Sequence, residues 1–260
     1  MGILAKQISS IIPENVKNPA KKLLQQLFYT ALTKVSGGKS KALLWSYTQF
    51  ELSPFILYQA YLLGTYPMPN MKSGKIREWY DPEIRGIIPI QDFRLRNDLL
   101  RNLKKEKLKG IDERFEIRIN TNFQGVIAGC SNPRGENAKT WLTSEFIKVV
   151  LELHEMGVAH SIETYQNDIL VGGVFGISIN GYFATLSLFH SVDNASKIAF
   201  YYLLVKLRDD GFKLHVSGDA NSWFTQYGSI NISKDEFRKN LVKATMAPVT
   251  FSTNVPKLEF

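Results

Sequence analysis

Residues 160–189 read HSIETYQNDILVGGVFGISINGYFATLSLF, and this stretch decides the fold. It divides into three apolar runs rich in β-branched and aromatic residues, His160–Tyr165, Ile169–Ser178 and Tyr182–Phe189. Asn167-Asp168 and Asn180-Gly181 separate them, and such pairs tolerate the positive φ that tight hairpins need. The reading is an antiparallel meander. Helical spacing of apolar residues flanks it, over Thr121–Ala128 and Thr143–Glu155 before, and over Asn194–Arg208 after. The last helix closes near Gly211 and leads to a strand from Phe212. A meander bracketed by helices belongs to the α+β class.

Working outward, Arg114–Ile119 alternates as a further strand, preceded by a basic helix over Arg94–Lys109. Tyr66 to Pro89 is rich in proline, glycine and aromatics, which fix turns and prevent a long regular element. A short helix over Pro54–Leu63 closes at Gly64. Ser36-Gly37-Gly38-Lys39-Ser40 is a flexible break after a helix over Lys21–Leu32. The expected organisation is an N-terminal domain over residues 1–92, with a Lys-rich helical extension, and a second domain over 93–260.

Composition narrows the function. Of 260 residues, 44% are apolar and 22% charged, which excludes intrinsic disorder. No apolar run reaches about 18 residues, so no membrane span is expected. The single cysteine, Cys130, rules out a disulfide scaffold and points to a reducing, cytoplasmic setting. Lys and Arg number 32 against 24 Asp and Glu, a net +8 that favours a polyanionic partner, nucleic acid before membrane. Lys6 spoils a myristoylation pattern at Gly2. Thr33 stands where a phosphate-binding loop ending at Lys39 requires glycine.

Arg94, Arg96, Arg101, Lys104 and Lys105 crowd the basic helix, with Leu95, Leu99, Leu100 and Leu103 between them. Arg101, Lys104 and Lys105 share one face, either a solvated surface or a contact for phosphates. Trp79 and Trp141 lie in turn-rich, polar surroundings and suit either the core or base stacking. His154, His160, His190 and His215 show no metal spacing, so no metal is expected. Cys130 has no charged neighbour to activate it, and no GxSxG elbow exists.

Several segments together resemble the bacterial leucyl/phenylalanyl-tRNA–protein transferases. Ala60-Tyr61-Leu62-Leu63-Gly64-Thr65-Tyr66-Pro67 is similar to their "AYxxGxFP", and Trp79-Tyr80-Asp81-Pro82-Glu83-Ile84-Arg85-Gly86 to their "WxSPxPRG". Phe123–Cys130, Thr140–Thr143, Leu153–Glu163, Leu170–Gly176, Asn194–Lys197 and Tyr227–Ile232 follow in family order. The likeness spans roughly residues 50 to 240. It implies a GNAT-like acyltransferase domain with a smaller N-terminal α/β domain. It also implies a reaction, transfer of an aminoacyl group from the 3′ end of a charged tRNA to an amine, with aminoacyl-tRNA as co-substrate and no cofactor. By resemblance, Trp79, Trp141 and Asn221 hold the terminal adenosine, and the basic helix meets the acceptor stem.

The departures are specific. Against the family's "FFGES", this chain has Phe183-Ala184-Thr185-Leu186-Ser187, so the glutamate has become Leu186. Against "LxDxQ" it has Leu214-His215-Val216-Ser217-Gly218, so the aspartate is Val216 and the glutamine Gly218. The family acceptor is a basic N-terminal residue, which two carboxylates suit. Their loss predicts a different amine acceptor, peptide or small molecule. Val174, Phe183, Leu186, Leu188, Phe200, Leu203 and Val216 are expected to form an apolar pocket for the transferred amino acid. His215 is the candidate base, beside the alternatives of the tRNA's own ribose hydroxyl or a structural role. The expected protein is a monomeric transferase. The alternatives are a tRNA-binding pseudoenzyme or regulator, and a GNAT-like domain for another acyl donor, for which no acyl-CoA pyrophosphate loop is present.

Overall fold

The computed structural model describes residues 52–70, 73, 75–108, 115–132, 140–218 and 222–257. The helix expected over Lys21–Leu32 and the glycine break after it lie outside these. The elements run α1 (Pro54–Leu62), β1 (Tyr66–Pro69), β2 (Ile76–Tyr80), β3 (Ile84–Ile87), α2 (Asn97–Leu108), β4 (Glu116–Ile119), α3 (Phe123–Ser131) and α4 (Ser144–Glu155). Then follow β5 (Ala159–Gln166), β6 (Ile169–Ile179), β7 (Tyr182–His190), α5 (Ala195–Asp209), β8 (Leu214–Gly218), α6 (Ser222–Thr225), β9 (Ile230–Ser233) and α7 (Lys234–Met246). β1 and β2 form a hairpin of their own. The other strands make one mixed sheet in the order β4-β5-β6-β7-β8-β3-β9.

The meander is present as read. Asn167, Asp168 and Asn180 take positive φ of 51°, 59° and 51° at its two turns. The proline-rich region holds no long element but does hold three short strands. β3 precedes Asp92 yet pairs with both β8 and β9, so residues from either side of the expected domain boundary complete the large sheet. The basic helix starts at Asn97, leaving Arg94 and Arg96 in the approach to it.

Local chemistry sets the helix ends. The Ser53 side chain accepts from the Ile56 N–H with Pro54 in the first turn of α1, and Gly64 closes that helix at φ +77°. Asn122 caps α3 by accepting from the Gly125 N–H at 2.9 Å. The fully buried Glu163 of β5 accepts from the Asn122 N–H at 2.8 Å, from the Ser161 hydroxyl at 2.7 Å, and from the Thr121 hydroxyl. A buried carboxylate satisfied this way pins α3 to the sheet.

The sheet carries a core on each face. Alternation along β6 and β7 sends Phe175 and Ala184 to one cluster, with Leu57, Phe146 and Phe237 from the helices. It sends Val174 and Phe183 to the other, with Phe200 and Leu203 of α5 and Phe251 of the C-terminal segment. Lys206 fastens that segment, donating to Ser252 Oγ at 2.6 Å and to the Asn254 carbonyl at 3.0 Å, and pairing with Asp210 at 3.1 Å. Gly172 lets α5 approach the sheet, because a Cβ there would stand 2.6 Å from that of Ala195.

Two features of β7 shape the middle of the sheet. Phe175 pairs with Ser187 and Gly176 with Thr185, so Leu186 is an unpaired bulge residue in β7. β7 and β8 are parallel, and their register runs Tyr182↔Leu214, Phe183↔His215 and Ala184↔Val216.

Candidate active site

Just past Ala184 and Val216 lies a pocket of about 230 Å³. Tyr182, Thr185, Leu186, Val216, Ser217 and Gly218 line it from the sheet. Tyr61, Thr65, Tyr66, Pro67 and Met68 line it from the end of α1 and from β1, and Arg85 and Trp141 complete the wall. Leu186, Val216 and Gly218, the three positions where the resemblance implies polar groups, therefore share one cavity.

Arg85 carries the only formal charge among these lining residues. It is buried in β3, with its guanidinium carbon 5.1 Å from the Tyr66 ring centroid and 4.8 Å from that of Phe237. Nη2 donates to the Gly64 carbonyl, and Nε is buried with no hydrogen-bond partner among the described residues. Asp81 lies 3.9 Å away, but that carboxylate sits closer to Arg238, at 2.6 Å, and to Lys234, at 3.6 Å. Burial pushes the phenols of Tyr61 and Tyr182 up in pKa, and the charge of Arg85 pulls more weakly the other way. Both stay protonated and able to donate.

Trp141 is set by its neighbours. The Thr140 hydroxyl accepts from the Leu142 N–H at 3.1 Å, Thr143 caps α4, and the indole lies 4.9 Å from the Phe146 ring. Trp79 is placed differently. It stands on β2 opposite Pro67, half-buried against the core on that side, and is not among the pocket-lining residues. Its indole N–H is buried with no partner among the described residues. The aromatic that β2 presents outward is Tyr80, stacked on Tyr66 at 5.9 Å and 16°. Asn221 lies outside the described residues.

The seven residues expected to house an amino acid divide between the two faces of the sheet. Leu186 and Val216 line the pocket. Val174, Phe183, Phe200 and Leu203 are at most 1% exposed in the opposite core, with Leu188 packed against them. His215 lies there too, fully buried, 6.2 Å from the Phe183 ring and 5.6 Å from that of Phe200. Nε2 is 2.8 Å from Thr185 Oγ1, Nδ1 has no partner among the described residues, and burial drives the pKa down to about 3. This neutral imidazole does not line the pocket.

Arg94, Arg96, Arg101, Lys104 and Lys105 are all exposed, while Leu99 is buried and docks α2. Asp98 grips Arg96 through two hydrogen bonds of 2.6 and 2.7 Å, which hold the aspartate down to about 2. The other four carry no such clamp among the described residues. Arg85, Tyr61, Tyr66, Met68 and Tyr182 were not singled out from sequence. Arg85 and Tyr66 stood inside the two quoted segments, but only the fold brings them to one cavity.

Residues 87–242 match the family described as Leucyl/phenylalanyl-tRNA protein transferase. Three relatives named leucyl/phenylalanyl-tRNA–protein transferase align over most of both chains. That of Chlorobaculum tepidum is 36% identical over 195 residues, covering 75% of this chain and 96% of the relative. That of Paramagnetospirillum magneticum is 32% identical over 203 residues, covering 78% and 94%. That of Herpetosiphon aurantiacus is 35% identical over 202 residues, covering 77% and 98%.

Proposed function

Because this chain belongs to the leucyl/phenylalanyl-tRNA–protein transferase family, we propose that it moves a hydrophobic aminoacyl group from a tRNA 3′ end to an amine other than a basic N-terminal residue. One observation carries this reading. Trp141 shares a cavity with Leu186, Val216 and Gly218, and among the described residues no carboxylate lines that cavity. A cationic acceptor entering it gains no counter-charge and meets Arg85.

In this reading the exposed face of α2 runs along the acceptor stem. Its cations gain affinity by releasing counterions from the tRNA phosphates. Trp141 offers its ring to the terminal adenosine, with Asn221 nearby by resemblance and Trp79 bracing the β1–β2 hairpin beneath Tyr66. The transferred side chain meets the apolar part of the pocket wall, Leu186 and Val216, while Val174, Phe183, Leu188, Phe200 and Leu203 form the core behind it. The finer reading of the fold as GNAT-like rests on β7 and β8, a parallel pair in a sheet whose other pairings are antiparallel among the described strands, with the cavity just past their last paired residues.

Aminolysis of an ester is downhill and needs no cofactor. The protein's contribution is to hold amine and carbonyl in reacting geometry and to keep water out. The proton passes to the departing ribose oxygen, directly or through its neighbouring hydroxyl. The test is to incubate the protein with pooled aminoacyl-tRNAs and amine acceptors while following the ester. Acceptor-dependent loss of ester with amide formation supports transfer. Tight, salt-sensitive tRNA binding with the ester intact identifies a pseudoenzyme instead.

A further inference from the structure

We infer that the acceptor amine has a carboxylate beside it, as in an acidic N-terminal residue. The inference rests on the transferase reading above and concerns the same pocket. Arg85 supplies the one formal charge among the described lining residues, and Arg85 Nε is a buried donor with no partner among the described residues. A buried, unsatisfied N–H on a cation is costly unless something binds it. The nearest carboxylate does not neutralise this charge, because Asp81 is shared with Arg238 and Lys234. Glu83, the other acid of the cluster, pairs with Lys234 and is largely exposed. Among the described residues of this cluster three cations thus face two carboxylates, an excess of one positive charge beside the pocket. The protonated phenols of Tyr61 and Tyr182 add donors and no charge.

An anion fits this wall, and the apolar floor of Leu186 and Val216 offers nothing to a cation. The cavity of about 230 Å³ is smaller than ordinary drug-sized sites of about 300 Å³ or more, so of a peptide acceptor only the terminal residue enters. The same positive charge lowers the pKa of an ammonium group nearby and favours the neutral, nucleophilic amine. The amine's lone pair attacks the ester carbonyl carbon and an N–C bond forms. The bond from that carbon to the ribose 3′ oxygen breaks, the oxygen keeps the electron pair, and it takes up the proton that nitrogen loses.

The carboxylate has two sources, the side chain of an N-terminal Asp or Glu, or the α-carboxylate of a free amino acid. The experiment supplies the full chain with leucyl- or phenylalanyl-tRNA. Its acceptors are peptides differing only in an N-terminal Asp, Asn, Glu, Gln, Lys or Arg, with free amino acids in parallel. The expected result is a kcat/KM for Asp or Glu above Asn or Gln by about tenfold or more, the discrimination of one charge-assisted hydrogen bond. Preference for free amino acids over neutral peptides supports the carboxylate equally and names the other source. Arg85→Met erases the preference, and Leu186→Glu, at a half-buried bulge and outside the Arg85 packing, reduces it without relying on Arg85. Equal use of Asp and Asn peptides, or preference for Lys, overturns the inference while the transferase reading stands. Absence of amide with every acceptor overturns the transferase reading, and the inference with it.

Discussion

Thr185 Oγ1 and His215 Nε2 are hydrogen-bonded at 2.8 Å across the parallel pair β7 and β8, with the imidazole sealed from solvent. The sequence reading offered His215 as a proton acceptor for the reaction. The pair instead closes the core behind the pocket, and an imidazole whose pKa is held near 3 is a weak base.

That burial makes stability acid-sensitive. His215 and His160 both have folded pKa values pushed down to about 3, each chiefly by burial, against about 6.5 for a free imidazole. Between those values the unfolded chain binds protons that the folded chain refuses. Stability is therefore whole above about pH 6.5 and falls toward pH 3, by up to about 1.4 kcal/mol per pH unit for each imidazole. Denaturant titrations from pH 7 to pH 4 measure this. The double variant Thr185→Val, His215→Leu, which removes both partners together, is expected to be near-neutral at pH 7, to flatten the acid slope, and to leave the pH–rate profile of transfer between 6 and 8 unchanged.

Trp141 and Trp79 separate by readout. Trp141→Ala weakens aminoacyl-tRNA binding by about 1–3 kcal/mol, the worth of a stacked base, with little loss of stability. Trp79→Ala costs about 2 kcal/mol or more of folding stability, since its indole packs against the core. Equilibrium tRNA binding and urea denaturation, run on both variants, check the contrast.

The exposed cations of α2 are expected to act as a group. Replacing Arg101, Lys104 and Lys105 with alanine lowers the slope of log affinity against log salt by about 2–3, near one unit per lost phosphate contact. Arg96→Ala changes it less, because Asp98 already holds that guanidinium. Filter-binding at several salt concentrations reads both slopes.

Gly172→Ala tests the close contact of α5 with the sheet. The new Cβ would stand 2.6 Å from the Ala195 Cβ and 2.9 Å from that residue's carbonyl carbon, neither of which can turn aside. The expected cost is about 1–3 kcal/mol, measured by thermal denaturation.

The meander and its flanking helices were legible because each signal was local. Turn pairs, alternation and helical spacing all agreed over residues 121–209. β3 and β9 were not, because Ile84–Ile87 sits among prolines and glycines that read as turns, Ile230–Ser233 is short and mostly exposed, and their partners lie far along the chain. The resemblance singles out Leu186, Val216 and Gly218 as positions where the family pattern is polar, and the fold does gather these three. The amino-acid set divides because Phe183 and Leu186 alternate to opposite faces of β7 and Val216 pairs with Ala184 rather than Phe183. The bulge at Leu186, which a sequence pattern does not reveal, then carries Leu188 to the Phe183 side. Arg85 escaped notice because its weight comes from what surrounds it.

The proposed acceptor turns on Leu186 and Val216, the positions where the family resemblance implies carboxylates. The most direct measurement is the ratio of kcat/KM for an N-terminal Lys peptide to that for its Gln counterpart, in the natural protein and in the double variant Leu186→Glu, Val216→Asp. The account predicts a ratio at or below one in the natural protein that rises by about tenfold or more in the variant. A natural protein that already favours the Lys peptide, with a ratio the substitutions leave unmoved, would contradict it.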